Sequence, residues 1–312
     1  MWSATTPHPP MVWVATHRAR AERSVRLPHV TLLQPDEFDV AVAGGSLRVC
    51  RWPGEGPTVV ALHGITANAL SYAVLAEKLG GVIDLVAPDL RGRAGSAGLP
   101  GPYGLAAHAA DVVALLDHLG VERAVLVGHS MGGFVAALTA VMYPDRVSSV
   151  LLVDGGVAFG IPAGVDIDAL LLAVIGPAMK RLSMVFPTVD AYLDFWSEHP
   201  ALGPYWSAAI EAYALRDLHG DRPSCNVEAI RADASDTLVH EPTTTAYRTV
   251  TCPIKVLWAP RGLLDEPTGL YRAETLAEVP NELVPDVNHY TILIGEQGAA
   301  VVAAHIRELV QR

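Results

Sequence analysis

The stretch AVLVGHSMGGFVAALTA, residues 124–140, sets one hydroxyl, Ser130, between Gly128 and Gly132, after an apolar run and before a helical one. Gly-x-Ser-x-Gly between a strand and a helix is the pattern of a strained turn that presents serine as a nucleophile. Its glycines let neighbouring backbone approach without Cβ clashes. Strain of this kind costs about 1–3 kcal/mol, so it persists only where the surroundings enforce it. The five-residue pattern is weak alone, and its strand–turn–helix context gives it weight.

A serine hydroxyl is a poor nucleophile until a base takes its proton. Of the twelve histidines, His129 is adjacent to the serine but should point away from it, and His63, at a strand end, should order its loop. His108, His118 and His305 fall inside predicted helices, His8, His17 and His29 in the first segment, and His199, His219 and His240 in a helical stretch. His289 follows the last strand, in PDVNHYT, just before the final helix. In a parallel sheet that position lies at the carboxyl ends of the strands, the edge that also holds Ser130 and where ligands usually bind. His289 is therefore the expected general base.

The imidazole needs a carboxylate that orients it and stabilises its charged form. Asp265, in LWAPRGLLDEP, and Asp154, at the end of VLLVD, both follow strands, and topology alone does not separate them. Asp265 is favoured because it heads an irregular Gly- and Pro-containing loop; Asp154, followed by Gly155-Gly156, is the alternative, with Asp286 and Glu266 as minor contenders. An oxyanion hole needs two backbone N–H donors about 3 Å from the developing alkoxide. Met131, at a helix start where N–H groups lack partners, is one candidate, and Ile65 in HGITAN, with Thr66 behind it, is the other.

These groups need a scaffold. FDVAVAGGSLRVCRW predicts a hairpin turning at Gly44-Gly45, and TVVALHG, VIDLVAPDLRG, RAVLVG, VSSVLLVDGG and CPIKVLWAP predict strands. ALSYAVLAEKLGG, LAAHAADVVALLDHLG, GGFVAALTAVMYP, TGLYRAETLAEV and EQGAAVVAAHIRELVQR predict helices, and NELVPDV a short strand. Alternating strands and helices imply an α/β fold, a mostly parallel sheet with helices on both faces. The rhythm stops near 157 and resumes after 246, giving a lead-in over 1–35, a core over 36–156 and 247–312, and a helical, aromatic insertion over 157–246.

Composition limits the function. The 312 residues are 51% hydrophobic with a net charge of −11, which argues for a sizeable core and against nucleic acid or an anionic membrane as partner. Three scattered cysteines, Cys50, Cys225 and Cys252, show neither a disulfide framework nor metal-ligand spacing. The first residues lack an apolar segment of signal-peptide length, and no run reaches the ~18 apolar residues of a membrane span. The expectation is a soluble cytoplasmic protein, monomer or homodimer.

In order along the chain, HGITANALSY, DLRGRAGS, GHSMGG, VDGG and NHYTIL resemble the α/β-hydrolase superfamily over roughly residues 38–312, the insertion apart. The resemblance implies an eight-stranded sheet, the insertion as a cap over the site, and the order nucleophile, acid, histidine on Ser130, Asp265 and His289. Several members carry Trp some residues after His-Gly, where this chain has Tyr72; the usual Gly-x-x-Asp is also spread into APRGLLD, which keeps the acid open. The implied activity is hydrolysis of a carboxylic ester of a hydrophobic or aromatic small molecule through an acyl-enzyme, without metal or organic cofactor. Aspartate-nucleophile members are disfavoured by the serine. Tyr72, Trp196 and Trp206 are the expected substrate-binding residues, while Arg181, Arg216 and Arg231 either pair a substrate carboxylate or are surface charges. A lactonase or carbon–carbon bond hydrolase would use the same triad, and a non-catalytic binding protein of the same fold is the remaining alternative.

Overall fold

Alternate residues of the central strands point to opposite faces, and both faces are covered. The computed structural model describes residues 32–159, 176 and 178–311. Most of the expected lead-in and the stretch 160–175 of the expected insertion lie outside the described residues. The strands are β1 (Asp36–Val42), β2 (Gly45–Trp52), β3 (Thr58–Leu62), β4 (Asp84–Pro88), β5 (Ala124–His129) and β6 (Val147–Val153). A two-residue ribbon, β7 (Leu218–His219) and β8 (Arg222–Pro223), separates these from β9 (Ile254–Trp258) and β10 (Asn281–Leu283).

The main sheet has eight strands in the order β1-β2-β4-β3-β5-β6-β9-β10. β2 is antiparallel to β1 and β4, and the remaining pairs are parallel. Val60, Leu62, Leu126, Val150 and Leu152 pack on α2 (Leu105–Leu119) and α3 (Met131–Met142). Their neighbours Val59, Ala61, Val125, Val127, Leu151 and Val153 pack on the opposite face with α1 (Ala73–Leu79) and the C-terminal helix. Burial on both faces explains why these strands read as continuous apolar runs. Each fully buried Leu or Val is worth about 1.5–3 kcal/mol over its exposed state.

Between β6 and β9 the chain forms α4 (Val189–Ser197), α5 (Ala208–Arg216) and α6 (Val227–Val239). Each begins at a polar side chain that accepts from the first turn: Thr188 from Ala191 at 3.1 Å, Ser207 from Ile210 at 3.3 Å, and Asn226 from Glu228 at 2.9 Å. Polar contacts tie α5 to the core. Arg216 spans from Asp89 at 2.8 Å to Glu37 at 2.8 Å, and Asn68 Nδ2 donates to Tyr213 O at 2.9 Å.

The C-terminal helix, α7 (Glu296–Val310), matches its expected extent closely. TGLYRAETLAEV does not form the expected helix; only a 3₁₀ turn, Ala273–Leu276, is present. The buried Tyr271 side chain reaches Val157 O at 2.8 Å, and that anchor holds the chain out of helical path. Among the described residues no helix is long and apolar enough to cross a membrane.

β5 and β6 run side by side, and their carboxyl ends touch. Ser130 N–H donates to Val153 O at 3.0 Å, and a Cβ on Gly155 would stand 2.1 Å from Ser130 O. No flexible side chain is there to yield. Gly155→Ala is expected to destabilise the fold by about 3 kcal/mol through overpacking, measured as a fall in the urea midpoint at unchanged m-value.

Candidate active site

Ser130 sits between the last residue of β5 and the first of α3 with φ 55° and ψ −123°, backbone angles that a residue with a Cβ rarely adopts. The close packing of strand against helix enforces it: a Cβ on Gly128 would lie 2.1 Å from Gly132 O. The glycines on either side of the serine thus face each other across the turn.

Asp154 follows β6 directly, also at positive φ, 45°. Its side chain is fully buried, and both oxygens are engaged: Oδ1 accepts from Ala259 N–H at 3.0 Å and Oδ2 lies 2.7 Å from His289 Nδ1. That contact brings together residues 135 apart in sequence. His289 is itself only 2% exposed. Its carbonyl accepts from His129 Nε2 at 2.7 Å, and the two rings lie 4.7 Å apart between centroids. His129, between Gly128 and Ser130, therefore holds the backbone of the histidine loop.

The carboxylate beside His289 is thus Asp154, and the expected pairing of Asp265 with that imidazole is corrected. Asp265 lies beyond β9 in a turn closed by Gly262 N–H donating to Glu266 O at 3.0 Å. There Arg261, four residues earlier, pairs with its carboxylate at 3.0 Å, and Asn288 Nδ2 donates to it at 3.0 Å. Asn288 is fully buried; it also donates to Ala201 O at 3.0 Å and accepts from Tyr290 and Thr291 N–H at 3.0 and 2.8 Å. Asp265 therefore braces the histidine loop from its neighbour. The Asn288-His289 pair was the available signal for this brace, and sequence reasoning passed over it. Asp286 meets the same loop through its carbonyl, which accepts from Arg261 at 3.1 Å.

Near the serine, Ile65 and Met131 each carry a backbone N–H with no acceptor among the described residues. Gly64, just before Ile65, approaches Ser130 so closely that an added Cβ would stand 3.2 Å from the serine Cβ. His63 orders this loop as expected, with Nδ1 2.8 Å from Gly64 O and Nε2 accepting from Leu90 N–H at 2.8 Å. Among the described residues no group of three or more His, Cys, Asp or Glu is placed to hold a metal ion.

Of the expected substrate-binding aromatics, Tyr72 is the one that the structure corrects. Tyr72 is fully buried and donates to Leu62 O at 2.6 Å, so it is a core residue pinned to β3. Trp196 lies inside the helical segment, 5% exposed, with the Arg181 guanidinium 5.0 Å from its ring centroid. Trp206 is half-buried in the same cluster, which also includes Tyr290 beside the histidine. Of the three arginines weighed, Arg181 is buried against Asp217 and Tyr192, Arg216 bridges Asp89 and Glu37, and Arg231 is exposed.

Among known proteins, a family model of the alpha/beta hydrolase fold matches residues 57–219. The chain belongs to the alpha/beta hydrolase family. Within it, the 2-(acetamidomethylene)succinate hydrolase of Mesorhizobium japonicum is 28% identical over 252 residues, 77% of this chain and 84% of that one. The uncharacterized protein Rv2715 of Mycobacterium tuberculosis is 32% identical over 170 residues, 54% of this chain and 50% of the relative. In that match the chain spans about half the relative's length. Among solved structures, E-2-(acetamidomethylene)succinate hydrolase superposes with a TM-score of 0.71 at 23% identity, over 89% of this chain and 100% of the other, a likeness of fold.

Burial also sets the charge of the site's flanking histidines. Desolvation drives both His63 and His129 down from 6.5 to about 3, and the nearby His289 adds to the effect on His129. Both are neutral in the fold, whereas the unfolded chain takes up these protons near 6.5. Between those values the unfolded state binds more protons, so stability falls as pH drops from about 6.5 toward 3. Each histidine contributes a slope of about 1.4 kcal/mol per pH unit within that window. Urea unfolding at pH 7, 6 and 5 is expected to show this loss, with a shallower slope for His129→Gln.

Proposed function

We propose that this protein is a serine hydrolase that cleaves a carboxylic ester of a hydrophobic or aromatic small molecule, with Ser130, His289 and Asp154 as its triad. One observation carries the reading: the buried Asp154 carboxylate 2.7 Å from His289 Nδ1, at the strand edge where Ser130 holds its strained turn. Family membership supports hydrolase chemistry in general, and the ester assignment is our own.

In this reading His289 Nε2 takes the hydroxyl proton as Ser130 Oγ attacks the carbonyl carbon. Asp154 holds the ring through Nδ1–H and stabilises the imidazolium that forms. The developing oxyanion accepts from the Met131 and Ile65 amides, donors that are already free of other partners among the described residues. Collapse of the tetrahedral intermediate breaks the ester C–O bond, and His289 protonates the departing alcohol. Water, deprotonated by the same imidazole, then attacks the acyl-serine and releases the acid. The segment 157–246 acts as a cap that excludes solvent and shapes the acyl pocket.

A second reading keeps the triad and changes the bond. The hydrolase matched over 77% of this chain is named for 2-(acetamidomethylene)succinate, which favours an acyl bond in a carboxylate-bearing small molecule. Hydrolysis rates on matched panels of simple aryl esters and carboxylate-bearing esters and amides separate the two.

A fluorophosphonate is expected to label Ser130, found by peptide mapping, and Ser130→Ala is expected to abolish both labelling and ester turnover. Full turnover by Ser130→Ala would sink the proposal, and tight ligand binding without labelling would point to a binding protein instead. Asp154→Asn is expected to lower kcat by about 10⁴-fold, as loss of the orienting carboxylate does elsewhere. Asp265→Asn, which loosens a brace and leaves the triad intact, is expected to cost at most about 10-fold in kcat. The reverse ranking would return the acid to Asp265.

A further inference from the structure

Arg93 is fully buried, and each arm of its guanidinium reaches a different part of the site. Nε donates to Ile65 O at 2.9 Å, and Nη2 lies 3.8 Å from Met131 Sδ. Nη1 donates to Arg91 O at 2.8 Å and makes a close ion pair with Asp233. The residues that offer the two free amides beside Ser130 thus both touch one cation.

That cation is anchored on the helical segment between β6 and β9. Asp233 lies on α6 and is itself fully buried. Its Oδ2 also faces His108 Nε2 at 2.9 Å, and its Oδ1 accepts from Gly104 N–H at 2.8 Å. Burial alone would raise its pKa, but His108 and Arg93 outweigh burial and hold it down at about 2. Close by on the helix, Ile230 and Ala234 form an apolar patch with Cys225, and the Ile65 side chain packs against it. Ile230, Asp233 and Ala234, at i, i+3 and i+4, share one face of the helix. The Ile65 side chain rests on α6 directly, and its carbonyl is held by a side chain that α6 anchors.

We propose that Arg93 is a positioning residue for the oxyanion donors: from its anchor on Asp233 it fixes the Ile65 backbone, so that α6 sets the hole in which the tetrahedral intermediate forms. The proposal rests on the reading of Ile65 and Met131 as those donors. A guanidinium suits the task because its planar fork holds several acceptors in fixed directions at once, which a lysine ammonium does not. Arg93 touches no reacting atom, and its effect reaches the chemistry only through Ile65 and Met131.

The test is the rate at which a fluorophosphonate phosphonylates Ser130, split into the encounter constant and the limiting rate. The phosphonyl oxygen occupies the oxyanion position in that step, so no natural substrate is needed. Arg93→Gln leaves the Asp233 charge buried with fewer partners. The double variant Arg93→Met/Asp233→Leu removes both ends and keeps the result independent of that burden. Full loss of one oxyanion donor costs about 10²–10³-fold, and a misaligned donor is expected to cost about 30-fold in limiting rate, with the encounter constant within about threefold of wild type. A limiting rate within about threefold of wild type in a variant of native melting temperature would overturn the proposal. So would a change confined to the encounter constant, which would mark a binding role. Wild-type protein that is not labelled at Ser130, or is labelled as fast after Ser130→Ala, would instead sink the serine reading and this inference with it.

Discussion

Taking a carboxylate wholly out of water costs several kcal/mol unless its oxygens find partners of matching charge and direction. Asp154 is in that position at the end of β6, with no exposed surface. One oxygen is met by the Ala259 N–H at the end of β9 and the other by the His289 ring. The site's order follows from this constraint. β6 and β9 must be neighbours for Ala259 to reach the carboxylate, and the histidine loop must fold back across both. The backbone bends sharply at Asp154 to aim the side chain inward, and the Gly155 that follows leaves room for the Ser130 carbonyl. Asp154 thereby places the imidazole, and Gly155 fits the turn at Ser130 against the adjacent strand.

The same logic recurs at the junction of the sheet with its helical insertion. The contacts that tie α5 and α6 to the core include buried or half-buried ion pairs, Arg216 with Asp89 and Arg93 with Asp233. An apolar seam would tolerate small slips, whereas a buried pair loses strongly if either partner moves away. Asp89 shows the cost and the remedy together. Burial raises its pKa, and Arg216 with the Ala69 and Gly95 amides opposes that rise. Polar tethers of this kind hold α5 and α6 in one register on the loop that follows β4.

Much of the scaffold was legible from local pattern. The hairpin at Gly44-Gly45, the apolar runs of β3 to β6 and the long C-terminal helix carry their periodicity in adjacent residues, and each is present. Segments governed by distant contacts were not legible. TGLYRAETLAEV has helical spacing, yet its tyrosine, Tyr271, is drawn to Val157, 114 residues earlier in the chain. Tyr72, expected at a pocket, is instead pinned under β3, because the hydroxyl of a buried tyrosine takes whatever carbonyl lies in reach. Arg93 and Asp233 meet across 140 residues, a separation over which no spacing rule operates.

The choice between the two aspartates shows where sequence reasoning stops. β6 and β9 are adjacent and parallel, so a carboxylate after either strand can reach an imidazole that crosses above both. Topology leaves the imidazole's carboxylate partner undetermined, and local charge separates the two. Arg261 stands four residues before Asp265 and claims its carboxylate in the turn, whereas Asp154 is met among the described residues by the Ala259 amide and the histidine, with no arginine or lysine beside it. The loser still serves the site: with Arg261 and Asn288 it clamps the base of the loop that carries His289. Two acidic residues at neighbouring strand ends thus take different duties on one histidine, one touching the ring and the other holding the chain that presents it.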